Sequence, residues 1–95
     1  MNIKNLKEFS FFIGCTIDDD YDVVATNEGI AVDGEVMATF NGDEEVNSAD
    51  DLMEVFDNAI NSIGYLSDED KEDLGVVLHN GANISIKVWW RENYG

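Results

Sequence analysis

The dipeptide Asp33-Gly34 lies between two apolar runs, GIAV and EVMATF, and constrains the fold more than any other short stretch of the sequence. Asp-Gly in this setting is typical of a two-residue type I′ hairpin turn, which requires positive φ angles at both turn residues. A second turn signal, Asn27-Glu28-Gly29, separates GIAV from the preceding run YDVVAT. Residues 21 to 40 are therefore predicted to form a three-stranded antiparallel meander.

Two helices are predicted to follow the meander. Ser48 is a favourable N-cap, and apolar residues recur at helical spacing over residues 49 to 63. This apolar stripe consists of Leu52, Val55, Phe56, Ala59, Ile60 and Ile63. Ser67, with Asp70 three residues later, resembles a capping box and predicts a second helix, which is expected to stop at residues 79 to 81.

The two ends of the chain complete the predicted fold. Apolar residues at roughly helical spacing predict a helix over residues 3 to 13, although the run FSFFIGCTI also fits a strand. The run ISIKVWWREN alternates apolar and polar residues and predicts a final strand. The predicted order is αβββααβ, a small antiparallel β-sheet with helices packed on one face, and the fold class is α+β. No linker divides residues 1 to 95, so a single domain is expected.

The charge of the chain is strongly one-sided. It carries 21 acidic and five basic residues, for a net charge of -16, and the stretch from Glu8 to Asp70 contains 18 acids and no Lys or Arg. Solubility requires a net charge of only about 2 to 8 for a small domain. Such a balance repels nucleic acid and anionic membranes and attracts basic surfaces. The sequence therefore predicts a basic protein partner, with no direct nucleic-acid or membrane binding.

Regularly spaced carboxylates supply the candidate contact residues. Neighbours at i and i+4 on a helix lie about 5 to 6 Å apart at Cβ, and alternate residues of a strand lie about 6.5 Å apart. These intervals are similar to those between successive phosphates of a nucleic-acid strand. The candidate partner-binding residues are Asp18, Asp19, Asp20, Asp22, Asp43, Glu44, Glu45, Asp50, Glu54 and Asp57.

The sequence offers little material for catalysis or metal binding. It contains one histidine, one cysteine and no Gly-rich phosphate loop, so we expect neither an enzyme nor a cofactor. Asp18, Asp20 and Asp22 match positions 1, 3 and 5 of an EF-hand loop. Val23 and Gly29, however, stand where that loop needs glycine and the bidentate glutamate. No dedicated metal site is expected.

Cysteine usage and the amino-terminal sequence bear on the compartment. Cys15 is the only cysteine, which rules out an intramolecular disulfide and is typical of a reducing cytoplasm. Its expected role is that of a small buried apolar side chain. The apolar run FSFFIG is short and lacks a cleavage site of small residues, so neither a signal peptide nor a membrane span is expected.

Two adjacent tryptophans occupy the predicted last strand. Trp90 shares the phase of the apolar residues and is expected in the core. Trp89 has the opposite phase, between Lys87 and Arg91. Local packing is favoured for it, with a cation–π stack on Arg91 or exposure as a contact anchor as the alternatives.

The charge and the order of elements resemble small acidic phage and mobile-element proteins that inhibit DNA-handling enzymes by mimicking DNA. Within this class, the chain is most similar to compact anti-CRISPR proteins that block Cas9. Some of these have a short amino-terminal helix, a three-stranded antiparallel sheet and two acidic helices. The corresponding segments are MNIKNLKEF, the meander from Tyr21 to Phe40 and SADDLMEVFDNAINSIG. The predicted strand ISIKVWW departs from that layout.

The resemblance implies a steric and electrostatic mechanism. Cas9 reads its PAM with arginines in a basic cleft, and an acidic protein seated there would prevent DNA from binding. The implied location is the cytoplasm of an infected or lysogenic bacterial host. The alternatives are an inhibitor of a restriction enzyme or a DNA glycosylase, and a non-inhibitory acidic module that binds a basic protein.

Overall fold

A four-stranded antiparallel sheet followed by three α-helices forms the described part of a computed structural model, which covers residues 1–17, 19–40 and 44–95. The strands follow one another in the sheet as β1 (Ser10–Cys15), β2 (Asp22–Thr26), β3 (Gly29–Val32) and β4 (Glu35–Thr39). The helices are α1 (Ala49–Asn61), α2 (Asp68–Val77) and α3 (Asn83–Tyr94). A 3-10 turn, Ile3–Asn5, precedes the sheet, and a π-helical segment, Leu78–Ala82, joins α2 to α3. The fold class is α+β, as predicted.

The hairpin at Asp33-Gly34 is confirmed. Val32 pairs with Glu35 across the turn, and the φ angles of Asp33 and Gly34 are 52° and 82°. Two positive φ angles in a two-residue loop are the requirement of a type I′ turn. The predicted meander is therefore present as β2, β3 and β4.

The predicted amino-terminal helix is wrong, because the chain forms β1 there and only the short 3-10 turn before it. Burial alternates along β1, with Phe11 and Ile13 buried and Phe12 exposed. Phe12 and Gly14 are weak helix formers, and pairing with β2 satisfies the backbone of this segment. The helical spacing of the apolar residues was therefore misleading, because Phe11 and Ile13 reach the core from an extended strand.

The chain ends in a helix, so the predicted final strand is also wrong. The helical path continues from α2 through the π-helical segment into α3, past the stop expected at residues 79 to 81. The apolar alternation does not match burial, because Ile84 is 65% exposed while Ile86 is fully buried. Side chains that contact the core recur every four residues, which is helical spacing: Leu74, Leu78, Ala82, Ile86 and Trp90. The observed order, four strands and then three α-helices, replaces αβββααβ.

The core lies between one face of the sheet and the helices. Phe11, Ala25 and Ile30 are cross-strand partners and are all buried. Phe56 of α1 is fully buried with its ring centroid 6.2 Å from that of Phe11, and the Trp89 centroid lies 5.6 Å from Phe11 on an edge-on ring. Local packing of Trp89 is thus confirmed. Burying an aromatic side chain of this kind contributes about 1.5 to 3 kcal/mol.

No helix within residues 1–17, 19–40 and 44–95 is both long and apolar enough to cross a membrane. Two predicted contact residues, Asp18 and Asp43, lie outside the described residues.

Candidate protein-interaction surface

The loop between β1 and β2 carries the first group of predicted contact residues and is closed by two hydrogen bonds. The Thr16 N–H donates to the Tyr21 carbonyl oxygen, and the Tyr21 N–H donates to Thr16 Oγ1, each at 2.8 Å. Thr16 is buried, whereas Asp19 and Asp20 are exposed. Asp20 has a φ of 56°, a left-handed conformation that aspartate tolerates better than most residues. The loop therefore presents Asp19 and Asp20 from a closed turn.

Asp70 attaches this acidic loop to the helical layer. The Ile17 N–H donates to Asp70 Oδ1 at 2.8 Å, and the Asp70 side chain is 2% exposed. The Asp70 N–H donates in turn to the N-cap Ser67 Oγ at 3.1 Å, which confirms the predicted cap of α2. The sequence indicated the role of Asp70 in starting α2, but its bond to a residue 53 positions earlier required the tertiary fold.

Cys15 lies beside the same loop and is exposed, so the prediction of a buried cysteine is wrong. It pairs with Asp22 across β1 and β2, and its thiol donates to Asp20 Oδ1 at 3.1 Å. This hydrogen bond, followed by partial desolvation and the charges of Asp20 and Asp22, raises the pKa of Cys15 to about 11. At neutral pH the thiol remains protonated and is a weak nucleophile.

Three connections of the fold meet at a cleft of about 310 Å³. They are the β1–β2 loop, the β3–β4 hairpin and the segment between α1 and α2. We call this cleft the tyrosine cleft, and it is lined by Tyr21, Val32, Asp33, Glu35, Met37 and Tyr65. Two phenol rings beside two carboxylates are the groups that bind a cationic side chain, through cation–π contact and charge-assisted hydrogen bonds.

The electrostatics of Tyr65 show how closely the acids approach this cleft. Partial burial is the largest cause that raises the pKa of the Tyr65 hydroxyl, and the charge of Glu35 is the next. Tyr21, Asp19 and Asp33 act in the same direction. The predicted contact residue Asp19 thus belongs to the surroundings of the tyrosine cleft, together with acids that the sequence analysis did not select.

A second acidic group surrounds the start of α1. A cleft of about 240 Å³ is lined there by Glu44, Glu45, Asp51, Glu54, Val55 and Asn58. The amino-terminal ammonium of Met1 lies 2.7 Å from Glu45 Oε2. Glu44 Oε2 is buried and has no hydrogen-bond partner among the described residues. A carboxylate oxygen in that state costs free energy until a donor reaches it.

The N-cap of α1 is confirmed, because the Asp51 N–H donates to Ser48 Oγ at 3.2 Å. The Asn47 N–H donates to Asp51 Oδ2 at 2.9 Å, so the Asp51 carboxylate also holds the residue that precedes the N-cap. Asp51 therefore has a structural role in addition to lining the cleft.

The predicted contact residues do not form one continuous surface. Asp19, Asp20 and Asp22 lie at the loop end, whereas Glu44, Glu45 and Glu54 line the cleft at the start of α1. The second cleft extends along α1, where Asp51, Glu54 and Asn58 line it.

The remaining predicted residues on α1 belong to neither group. Asp50 is exposed in the first turn of α1. Asp57 is half-buried and faces α2, where a Cβ added at Gly75 would lie 3.4 Å from its Oδ1. Sequence reasoning missed Tyr21, Asp33, Glu35 and Tyr65 of the tyrosine cleft. The DDDYD run and the hairpin marked the exposure of the first two, and no local signal placed Tyr65 beside them.

Almost none of this negative charge is neutralised within the fold. Across residues 1–17, 19–40 and 44–95, the only ion pair joins the amino terminus and Glu45. Hydrogen bonds from Ile17 and Asn47 satisfy Asp70 and Asp51 without a counter-charge. Among these same residues, no three His, Cys, Asp or Glu side chains are grouped so that they could hold a metal ion.

Comparison of the chain with protein-family models, curated proteins and solved structures found no match.

Proposed function

We propose that this protein inhibits a DNA-handling enzyme by occupying its DNA-binding cleft, as an anti-CRISPR protein directed at Cas9. The observation that carries the proposal is the unneutralised charge: a net charge of -16 on 95 residues, with a single ion pair in the described part of the fold. Unpaired carboxylates cost stability through mutual repulsion, and a basic partner recovers that cost on binding.

The separation of the acids into two groups supports a partner with several basic sites. Asp19, Asp20 and Asp22 lie at the β1–β2 end of the sheet, whereas Glu44, Glu45 and Glu54 line the cleft beside α1. A groove that tracks a DNA backbone carries basic side chains along its length, because it contacts several phosphates. Such a groove presents basic side chains to both groups.

Inhibition by this route involves no covalent or catalytic step. The acids at the loop end and at the start of α1 approach the cationic side chains that otherwise contact phosphates or the PAM. The tyrosine cleft accepts one of these cationic side chains. The rings of Tyr21 and Tyr65 make cation–π contacts with this side chain, and the Glu35 carboxylate pairs with its positive charge. DNA is excluded because the same side chains are occupied.

Charge variants test which acids carry the binding. The loop variant changes Asp19, Asp20 and Asp22 to Asn, and binding to a purified Cas9–guide RNA complex is measured by calorimetry. The matched control changes Glu8, Glu28 and Glu92 to Gln, which removes the same charge from exposed positions outside both acidic groups. We expect the loop variant to lose about tenfold or more in affinity and the control to lose much less.

Equal losses in both variants would mean that net charge alone, and not the placement of these acids, drives binding. Binding that persists while DNA remains bound would favour the non-inhibitory interaction module. The same measurement on a restriction enzyme and on a DNA glycosylase separates those targets from Cas9.

A further inference from the structure

The sheet face opposite the helices carries an uninterrupted apolar row. Phe12 pairs with Val24, Val24 with Ala31, and Ala31 with Val36, so the row crosses all four strands. Residues directly opposite each other in an antiparallel sheet project on the same face. We call these four residues the open-face row.

The open-face row is accessible to solvent. Phe12 is 59% exposed, Val36 is 37% exposed, and Val24 and Ala31 are half-buried. The buried residues of the sheet belong to the other face, which α1 and α2 contact. A contiguous exposed apolar surface on a soluble domain is typical of a site where another molecule binds. DNA mimicry alone does not account for it, because phosphate-binding grooves recognise charge.

The open-face row is continuous with the acidic loop. Cys15 and Asp22 form the cross-strand pair at one end of β1 and β2, two to three residues from Phe12 and Val24. Asp20 lies against Cys15 at that same end. No Lys or Arg occurs anywhere between Glu8 and Asp70, so no base borders the row on the four strands.

We propose that the open-face row docks a basic protein whose contact surface has an apolar centre and a lysine or arginine where it meets Asp20 and Asp22. The basic nature of the partner rests on the proposed function. The apolar contact is the new element, and it distinguishes this partner from other basic surfaces. The charge complementarity selects this occupant over a second copy of the chain, because a symmetric pair would bring two charges of -16 together.

The two parts of the surface have different physical signatures. Attraction to Asp20 and Asp22 speeds association and weakens as salt screens it. Burial of Phe12 slows dissociation and is little affected by salt. Binding to a suitable partner therefore keeps a salt-resistant component that depends on Phe12.

Synthetic peptides test this without the physiological partner. The probe is a short strand-forming peptide of alternating Lys and Leu, compared with alternating Lys and Ser and with alternating Glu and Leu. Amide chemical shifts of the isotope-labelled protein report where each peptide binds. We expect the Lys/Leu peptide to perturb Phe12, Val24, Ala31 and Val36, the Lys/Ser peptide to perturb the acidic residues but not this row, and the Glu/Leu peptide to perturb neither.

Variants assign the contact. Phe12→Thr keeps a residue suited to a strand and should weaken binding of the Lys/Leu peptide about tenfold, equivalent to about 1.4 kcal/mol. Ile84→Thr changes a side chain that is 65% exposed on α3 and should leave binding unchanged. An unchanged amide spectrum outside the altered residue verifies that each variant is folded, and Val36→Thr repeats the test at the opposite edge of the row.

The inference is overturned if Lys/Leu and Lys/Ser peptides bind alike, if no peptide binds, or if Phe12→Thr binds as the parent does. Concentration-dependent shifts of the row without peptide would assign the face to a second copy instead. Competition between this protein and DNA for Cas9 is a separate readout. If this protein competes with DNA but Phe12→Thr does not change its binding, only this inference is overturned. If Phe12→Thr weakens binding but the protein does not compete with DNA, only the proposed inhibition is overturned.

Discussion

Replacing Asp70 by alanine should loosen the acidic loop and destabilise the whole domain. The change removes the carboxylate that accepts the Ile17 N–H at 2.8 Å in a site that is 2% exposed. Leaving a buried donor without an acceptor costs about 1 to 3 kcal/mol. Loss of an acidic group from the first turn of α2 adds roughly 0.3 to 1 kcal/mol through the helix dipole.

The expected total for Asp70→Ala is about 1.3 to 4 kcal/mol, a substantial fraction of the 5 to 15 kcal/mol typical of a domain. Each kcal/mol lowers the Tm of a domain of this size by about 4 to 8 °C, so a decrease of roughly 5 to 30 °C is expected. Asp70→Asn retains an acceptor oxygen and should lower the Tm by less than half as much.

Thermal unfolding followed by circular dichroism measures both variants, and amide hydrogen exchange locates the loss. Exchange at Ile17 and Tyr21 should accelerate more than exchange in the core strand residues Ala25 and Ile30. A Tm within about 2 °C of the parent for Asp70→Ala, where one kcal/mol alone corresponds to about 4 to 8 °C, would refute the role assigned to this carboxylate.

Three further predictions concern the backbone, the thiol and the overall charge. Gly29→Ala should lower the free energy of unfolding by more than about 3 kcal/mol, because the added Cβ would lie 1.9 Å from the Ala38 carbonyl oxygen at a φ of 150°. Denaturant unfolding measures the change, and a midpoint equal to that of the parent would contradict the pairing of β3 with β4. The alkylation rate of Cys15 should keep rising with pH up to about 11, and Asp20→Asn should move that rise to lower pH, whereas a rate that levels off below pH 9 would contradict the Asp20 hydrogen bond. Added salt should raise the Tm by screening repulsion among the unpaired carboxylates, and a Tm independent of salt would show that they are too widely spread to strain the fold.

Local chemistry accounts for the parts of the fold that the sequence predicted. Asp33-Gly34 specified a turn, and Ser48 and Ser67 specified two helix starts, because each acts on backbone groups within three residues. The turn and the two helix starts are therefore specified independently of tertiary contacts with distant residues. The meander and α1 follow from them together with the periodicity of burial.

The two wrong predictions, the amino-terminal helix and the final strand, concern sequence patterns that are compatible with both helix and strand. Ile3, Leu6 and Phe9 recur at helical spacing, yet all are buried from an extended chain and a 3-10 turn. The final segment ISIKVWW has the composition of a strand, but Ile86 finds the core only as part of the four-residue repeat that begins in α2. Tertiary packing outweighs intrinsic preference in both places.

The sequence predicted that the candidate surface is acidic, but it did not predict which residues lie together on that surface. Exposure of Asp19, Asp20 and Asp22 follows from the acidity of the run in which they lie. The convergence of Tyr21 and Tyr65 on one cleft joins segments 44 residues apart, and the alignment of Phe12 with Val24 depends on a strand predicted as helix. Long-range contacts of this kind leave no local signal.

Competition with DNA shows whether this protein occupies the DNA-binding cleft of Cas9. The apparent Kd of a Cas9–guide RNA complex for a labelled PAM-bearing duplex is measured at increasing concentrations of this protein, by fluorescence anisotropy. We expect the apparent Kd to rise linearly with the concentration of the protein without reaching a limit, since the two ligands occupy one site. An apparent Kd that stays constant, or a rise that saturates because both ligands bind together, would contradict occupation of the DNA-binding cleft.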